Sequence, residues 1–350
     1  MSTRLTIDLG ALAANWRQFE RRGSIGAVVK ADAYGLGLDA VLPQLSRLGC
    51  TEFFVAQARE GLLAAEVLGR SNCPGRVWVF EGVTPWNQDL FKTSSLTPVL
   101  NSELQIQRWR ELGGGTCGLH VDTGMHRLGV PFVDLLSLDT RGLDLALLIT
   151  HFACADKPSH PLNAEQMVRF DAVRQRYPSV PVSIGGSAAV LGPYAEQLPQ
   201  NHISRPGIGL YGGNPFAEGG NPMQTVATLE ARVLQVREVA TGTPVGYGAS
   251  QSTERPTRIA TVGIGYADGV SRHLSSRGAF CFGQKRLPIL GRVSMDLTQV
   301  DATDSDVQEG DWLEVFGEHL TVDEVARTAG TVSYEILTGL GQRIQRSYRF

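Results

Sequence analysis

The chain has 350 residues, 42% apolar and 19% charged, with a net charge of −3; that length can bury a large core and a second smaller one, and the balance excludes a disordered chain and a surface built for nucleic acid or an anionic membrane. The five cysteines (Cys50, Cys73, Cys117, Cys154 and Cys281) form no CxxC pair, which points to a reducing, cytoplasmic compartment and away from a disulfide framework. The seven histidines lack zinc-type spacing, no N-terminal apolar run reads as a secretion signal, and no stretch approaches the length of a membrane span, so neither a metal nor a membrane is expected.

In chain order, residues 4–8 read as a strand that precedes the first helix and is expected to join the second domain. From residue 24 to about 213, short apolar runs at 25–30, 53–57, 77–81, 96–100, 118–122, 145–151, 180–184 and 203–210 alternate with helical stretches such as 38–48, 58–68, 104–112 and 164–177. Such alternation indicates a parallel sheet, and eight runs favour a (β/α)8 TIM barrel over an open doubly wound sheet. After about residue 220 the runs TLEARVLQVREV, TRIATVGIGYADGV, GAFCFGQKRLPILGRVSMDLTQVDA and DWLEVFG are β-rich and punctuated by Gly, Pro and Asp; helical periodicity returns only at 322–328. The expected division is a barrel over residues 1–220, with 1–9 joining the other unit, and a C-terminal antiparallel β domain over 221–350; residues 214–222 read as the linker.

Active sites of such barrels lie at the C-terminal ends of the strands, and here those ends are polar. The first run, SIGAVV, ends in Lys30; an amine placed there can be desolvated, which lowers its pKa and suits it to covalent capture of a carbonyl, although a lysine emerging into solvent has the same local sequence. The eighth run carries His202, Arg205, Gly207, Gly209 and Gly212. Its GxGxxG lacks the following helix that a dinucleotide loop requires, but amides near Gly207 and Gly209 can still hold a single phosphate. Ile184-Gly-Gly-Ser187 is compatible with a phosphate or with a plain helix cap.

Six segments, VVKADAYGLG, HVDTGMHRLG, THFACAD, SRPGIGLYG, VGIGYADG and GRVSMD, together resemble the alanine racemase family, in the family's order and from residue 4 to about 343. The resemblance implies a pyridoxal 5′-phosphate enzyme that interconverts L- and D-alanine by a two-base mechanism, supplies D-alanine for peptidoglycan, and works as a head-to-tail homodimer. It implies that Lys30 carries the cofactor and serves as one base, and that Tyr266 is the other. Tyr34, Ser187, Gly207 and Ile208 match its phosphate cup. Arg127 matches the arginine that meets the cofactor's phenolic oxygen and the substrate carboxylate. His151 and Arg205 match the pair that links the opposite base to the pyridine ring, and Met295 a residue whose backbone meets the substrate carboxylate; Tyr266 and Met295 come from the partner subunit. A tyrosine ordinarily titrates near about 10 and needs a nearby cation to act as a base. An arginine facing the pyridine nitrogen offers only donors, leaves that nitrogen unprotonated, and fits a racemase better than a transaminase.

The chain departs from the family in places. His120 stands where many members have a lysine, carbamylated in some to orient the arginine, so another group must hold Arg127. Gln342 aligns where some members place a phosphate-contacting tyrosine. The competing readings are a racemase with serine or broader preference, an amino-acid decarboxylase on the same plan, which Arg205 and Tyr266 disfavour, and a non-catalytic cofactor carrier, which the long β domain disfavours.

Overall fold

The computed structural model describes residues 2–20 and 24–350. Eight short parallel strands form the first unit: Ser24–Ile25 continuing into Ala27–Val28, then Glu52–Val55, Arg76–Val79, Thr97–Leu100, Thr116–Asp122, Asp144–Ile149, Val182–Ser183 and Ile203–Ser204. A bridge from Val182 to His202, and the pairing of Ile203–Ser204 with Ser24–Ile25, close the ring, giving the expected (β/α)8 barrel. Position 26, between the two halves of the first strand, needs glycine because a Cβ there would lie 2.5 Å from the Phe54 ring and 2.7 Å from the Glu52 carbonyl oxygen; only glycine permits so close an approach. The strands are buried on both faces, with Phe53, Phe54 and Trp78 among the largest enclosed side chains, as befits a sheet wrapped by helices.

The wrapping helices start where the sequence supplies caps. Ala58–Arg70 begins at a capping box in which Glu60 accepts from the Gln57 amide, and Pro161–Arg176 has proline in its first turn and a His160 cap. After the fifth strand no full helix forms; the three-residue turn Phe132–Asp134 stands in its place.

In the second unit the 13-residue strand Ala227–Val239 is the spine. It pairs antiparallel with Thr3–Asp8, Thr257–Val262 and Trp312–Phe316, and Thr3–Asp8 alternates buried and half-buried residues as one face of a sheet should. The N-terminal strand thus lies in the β unit. So does the last strand, Gln345–Arg349, which pairs parallel with it, Arg4 opposite Gln345. Two helices interrupt this β unit. Val322–Ala329 is capped by Thr321 and stopped by a left-handed Gly330; Ser333–Thr338, unmarked by sequence periodicity, follows. Among the described residues no helix is long and apolar enough to cross a membrane.

Candidate active site

The C-terminal ends of the barrel strands open on a cavity of about 950 Å³, also lined by residues 214–219 and by Asp323, Arg327 and Tyr334. Lys30, Tyr34, Arg127, His151, Ser187, Arg205, Gly207 and Ile208 all line it. Each comes from a strand end or the turn that follows, so the sheet's closure gathers residues that lie up to 178 positions apart.

At one end the groups suit a phosphate. Ser187 Oγ accepts from the amides of Gly207 and Gly209, both at 3.1 Å. Its single hydrogen is therefore free to point elsewhere. The Ile208 amide has no partner among the described residues. The Tyr34 hydroxyl occupies the space that a side chain at Gly207 would fill, and its ring stacks on Tyr211 with centroids 4.6 Å apart. Tyr211 in turn donates to the Val28 carbonyl oxygen at 2.8 Å. Burial pushes the Tyr34 hydroxyl well above its ordinary range, so it remains a donor at any physiological pH.

The middle of the cavity is cationic, and its arginine is buried. Arg205 is 3% exposed; it donates to the carbonyl oxygens of Ser183 at 2.7 Å and Thr150 at 2.8 Å, and approaches His151 Nδ1 at 3.4 Å. Burial, then the charge of Arg127, pulls the guanidinium down to about 9, still protonated at neutral pH. Burial and then Arg205 hold His151 neutral. Because Nδ1 faces a donor, the ring proton belongs on Nε2. Lys30 is lowered by burial and then by Arg127, with Glu60 opposing, as a nucleophilic amine requires.

His120 lines the same cavity as Arg127. Asn101 Nδ2 donates to the Phe80 and Val99 carbonyl oxygens, which turns its Oδ1 toward His120 Nδ1 at 2.8 Å. Burial and then Arg205 lower His120 to about 4; the ring is neutral, donates from Nδ1 and leaves Nε2 as an acceptor.

Two of the residues singled out in the sequence lie elsewhere. Tyr266 and Met295 do not line the cavity; they sit together on the β unit, where Tyr266 N donates to the Ser294 carbonyl oxygen and Ala267 N to that of Met295, both at 3.0 Å. Their side chains are 43% and 53% exposed. Gln342 is not at the cavity either. The tyrosine at its phosphate end is Tyr334, whose ring centroid is 6.1 Å from that of Tyr34. Sequence reading missed it because a lone tyrosine in an unmarked helix carries no signal until the helix is seated beside Tyr34.

Comparison with known proteins places both units of the chain. Residues 7–215 match the model of the alanine racemase N-terminal domain, and residues 226–348 that of the C-terminal domain. The chain is 41% identical to the alanine racemase of Rhizobium meliloti (strain 1021), over 99% of this chain and 97% of that protein. It is 44% identical to that of Jannaschia sp. (strain CCS1), over 98% of each. The crystal structure of alanine racemase from Bartonella henselae with covalently bound pyridoxal phosphate superposes with a TM-score of 0.91 at 35% identity, covering 100% of both chains. With both units matched in order along nearly its whole length, the chain belongs to the alanine racemase family.

Proposed function

We propose that this protein interconverts L- and D-alanine with pyridoxal phosphate, working in the cytoplasm as a homodimer and supplying D-alanine for peptidoglycan. In this reading residues 1–220 form the cofactor-binding unit, with 1–9 joining the β domain, and residues 221–350 the β domain. The observation that carries it is a single cavity with a desolvated lysine at one wall, a cup of hydroxyls and amides at one end, and a buried arginine where a ring nitrogen would lie. These residues fit the cofactor. Tyr34, Ser187, Gly207 and Ile208 would hold its phosphate, Lys30 its aldehyde carbon, and Arg205 its pyridine nitrogen. When bound, pyridoxal phosphate supplies an electron sink that makes the substrate α-proton acidic.

The chain's own groups do the rest. Arg127 binds the substrate carboxylate by paired charge-assisted hydrogen bonds. Lys30, its affinity for a proton lowered chiefly by burial, takes or returns the α-proton on one face. Tyr266 does so on the other face, and Met295 contributes its backbone to the carboxylate. Both are supplied by the partner subunit, which accounts for two such side chains standing exposed outside their own chain's cavity. His151 carries its proton on Nε2 and offers it to the phenol oxygen, backed by the Arg205 cation, a bias toward the basic form. The arginine's lack of any acceptor favours reprotonation over amino transfer.

The test is incubation of purified protein and cofactor with each L-amino acid, followed by chiral chromatography. Alanine should reach a racemic mixture. If alanine keeps its configuration while serine is racemised, the substrate assignment is wrong; if neither changes, the activity is wrong.

A further inference from the structure

Between Lys30 and Tyr34 the backbone does something unusual. Ala31, Asp32, Ala33 and Tyr34 have φ of 51, 55, 52 and 57° in succession, with ψ near 50° at the first three. This is a full left-handed turn made without glycine, and each such residue is disfavoured by its Cβ. The turn spans the two residues assigned to opposite ends of the cofactor, so its shape sets the distance between them. Strain of this kind persists only where surroundings impose it.

On one side the imposing group is the C-terminal strand: Arg346 Nε donates to the Gly35 carbonyl oxygen at 2.9 Å and the Tyr348 hydroxyl to that of Leu36 at 3.1 Å. On the other side it is a carboxylate. Glu60 Oε1 accepts from the Ala31 amide at 2.7 Å, while Oε2 accepts from Ala56 at 2.9 Å and Gln57 at 3.0 Å. One anion thus binds three amides from two elements.

We propose that Glu60 is a positioning residue for Lys30: its carboxylate ties the first amide of the left-handed turn to the start of the neighbouring barrel helix, and its charge faces the lysine amine. Among the described residues, charged or titratable groups from three elements act on that amine. Arg127 comes from the turn after the fifth strand, His151 from the end of the sixth, and Glu60 from the helix after the second; Glu60 is the anion, opposing the lowering by burial and Arg127. Glu60 therefore does two separable things. As a bridge it holds the turn; as a charge it keeps the amine from becoming too weak a base to receive a proton. The inference rests on Lys30 as the residue that captures pyridoxal phosphate.

The test uses apoenzyme and pyridoxal phosphate. The rate of covalent capture is followed by absorbance across pH, and release of cofactor by dilution into a scavenger. Glu60→Gln removes the charge and turns an amide NH₂ toward donors. It should move the capture midpoint, measured against wild type, down by about half to one pH unit, and speed release by about tenfold. Glu60→Asp keeps the charge but is too short to bridge, so it should speed release with little change in midpoint. Adding Ala31→Gly to Glu60→Gln, which lets position 31 adopt positive φ freely, should restore retention and leave the midpoint displaced; this pair also carries the measurement if Glu60→Gln alone does not fold. A Glu60→Gln protein that only loses thermal stability, with midpoint and release at wild-type values, overturns the assignment. Wild-type protein that captures no cofactor, or captures it equally well as Lys30→Ala, overturns the functional reading instead.

Discussion

Ser187→Ala is the sharpest test of the phosphate cup, because its effect follows from the protein alone. Among the described residues the hydroxyl oxygen is the sole acceptor for two buried amides, those of Gly207 and Gly209. Removing it strands both. An unsatisfied buried amide costs about 1–3 kcal/mol, and partial relaxation at one of the two sets the expected loss at about 2–4 kcal/mol. Unfolding entropy of roughly 2.1 cal/mol/K per residue over 350 residues makes each kcal/mol worth about 1.4 °C, so the apoenzyme should melt about 3–6 °C below wild type. A phosphate ester bound in the cup can accept those same amides, so saturating pyridoxal phosphate should narrow the gap, even as the missing hydroxyl weakens affinity. Differential scanning calorimetry of apo and loaded forms reads both effects. An apo Ser187→Ala protein that melts within a degree of wild type, or a gap that does not change on adding cofactor, refutes the reasoning.

Other outcomes follow from the same geometry. Lys30→Ala should abolish borohydride fixation of the cofactor, and mapping of the wild-type label to any other lysine by peptide mass spectrometry would contradict the assignment. Tyr266→Phe should lower racemisation about 10²-fold or more in both directions, since each direction uses one group as base and the other as acid; unchanged rates would refute the two-base scheme. Mixing inactive Lys30→Ala and Tyr266→Phe chains under subunit exchange should restore activity, because one site in each mixed dimer is then intact; mixed dimers, verified by native mass spectrometry, that remain inactive place each site within one chain. His120, His151 and His202 are held below their ordinary range chiefly by burial, His120 to about 4 and His202 to about 3. The unfolded chain therefore binds protons that the folded one refuses, and stability should fall as pH drops below about 6.5 toward 4, by about 1.4 kcal/mol per pH unit for each group. In denaturant titrations across that range, His202→Asn should remove about one proton's worth of slope; an unchanged slope would refute the linkage.

The architecture is legible in the order of residues alone, because that information is local and periodic. Eight short apolar runs between amphipathic helices can bury both faces only in a parallel sheet, and the β-rich texture after residue 220 marks a second unit. The order of residues also displays the chemical groups, since Lys30 and His151 end apolar runs, Arg127 follows one and Arg205 lies within one, all inside motifs shared by a family. The remainder depends on contacts between elements. Position 26 must be glycine because Phe54 and Glu52 crowd it, a contact between strands that no single run records. Ala31 to Tyr34 turn left-handed against their own preference because Glu60, Arg346 and Tyr348 hold the turn from both sides. Tyr334 reaches the phosphate end of the cavity and Gln342 does not, a matter of how one short helix is seated. The protonation of His120 and His151 follows from a buried arginine and a fixed asparagine amide, partners drawn from other strands. Local pattern sets which elements form; hydrogen-bond direction, strain and charge depend on what those elements meet, and that is known only once the barrel has closed.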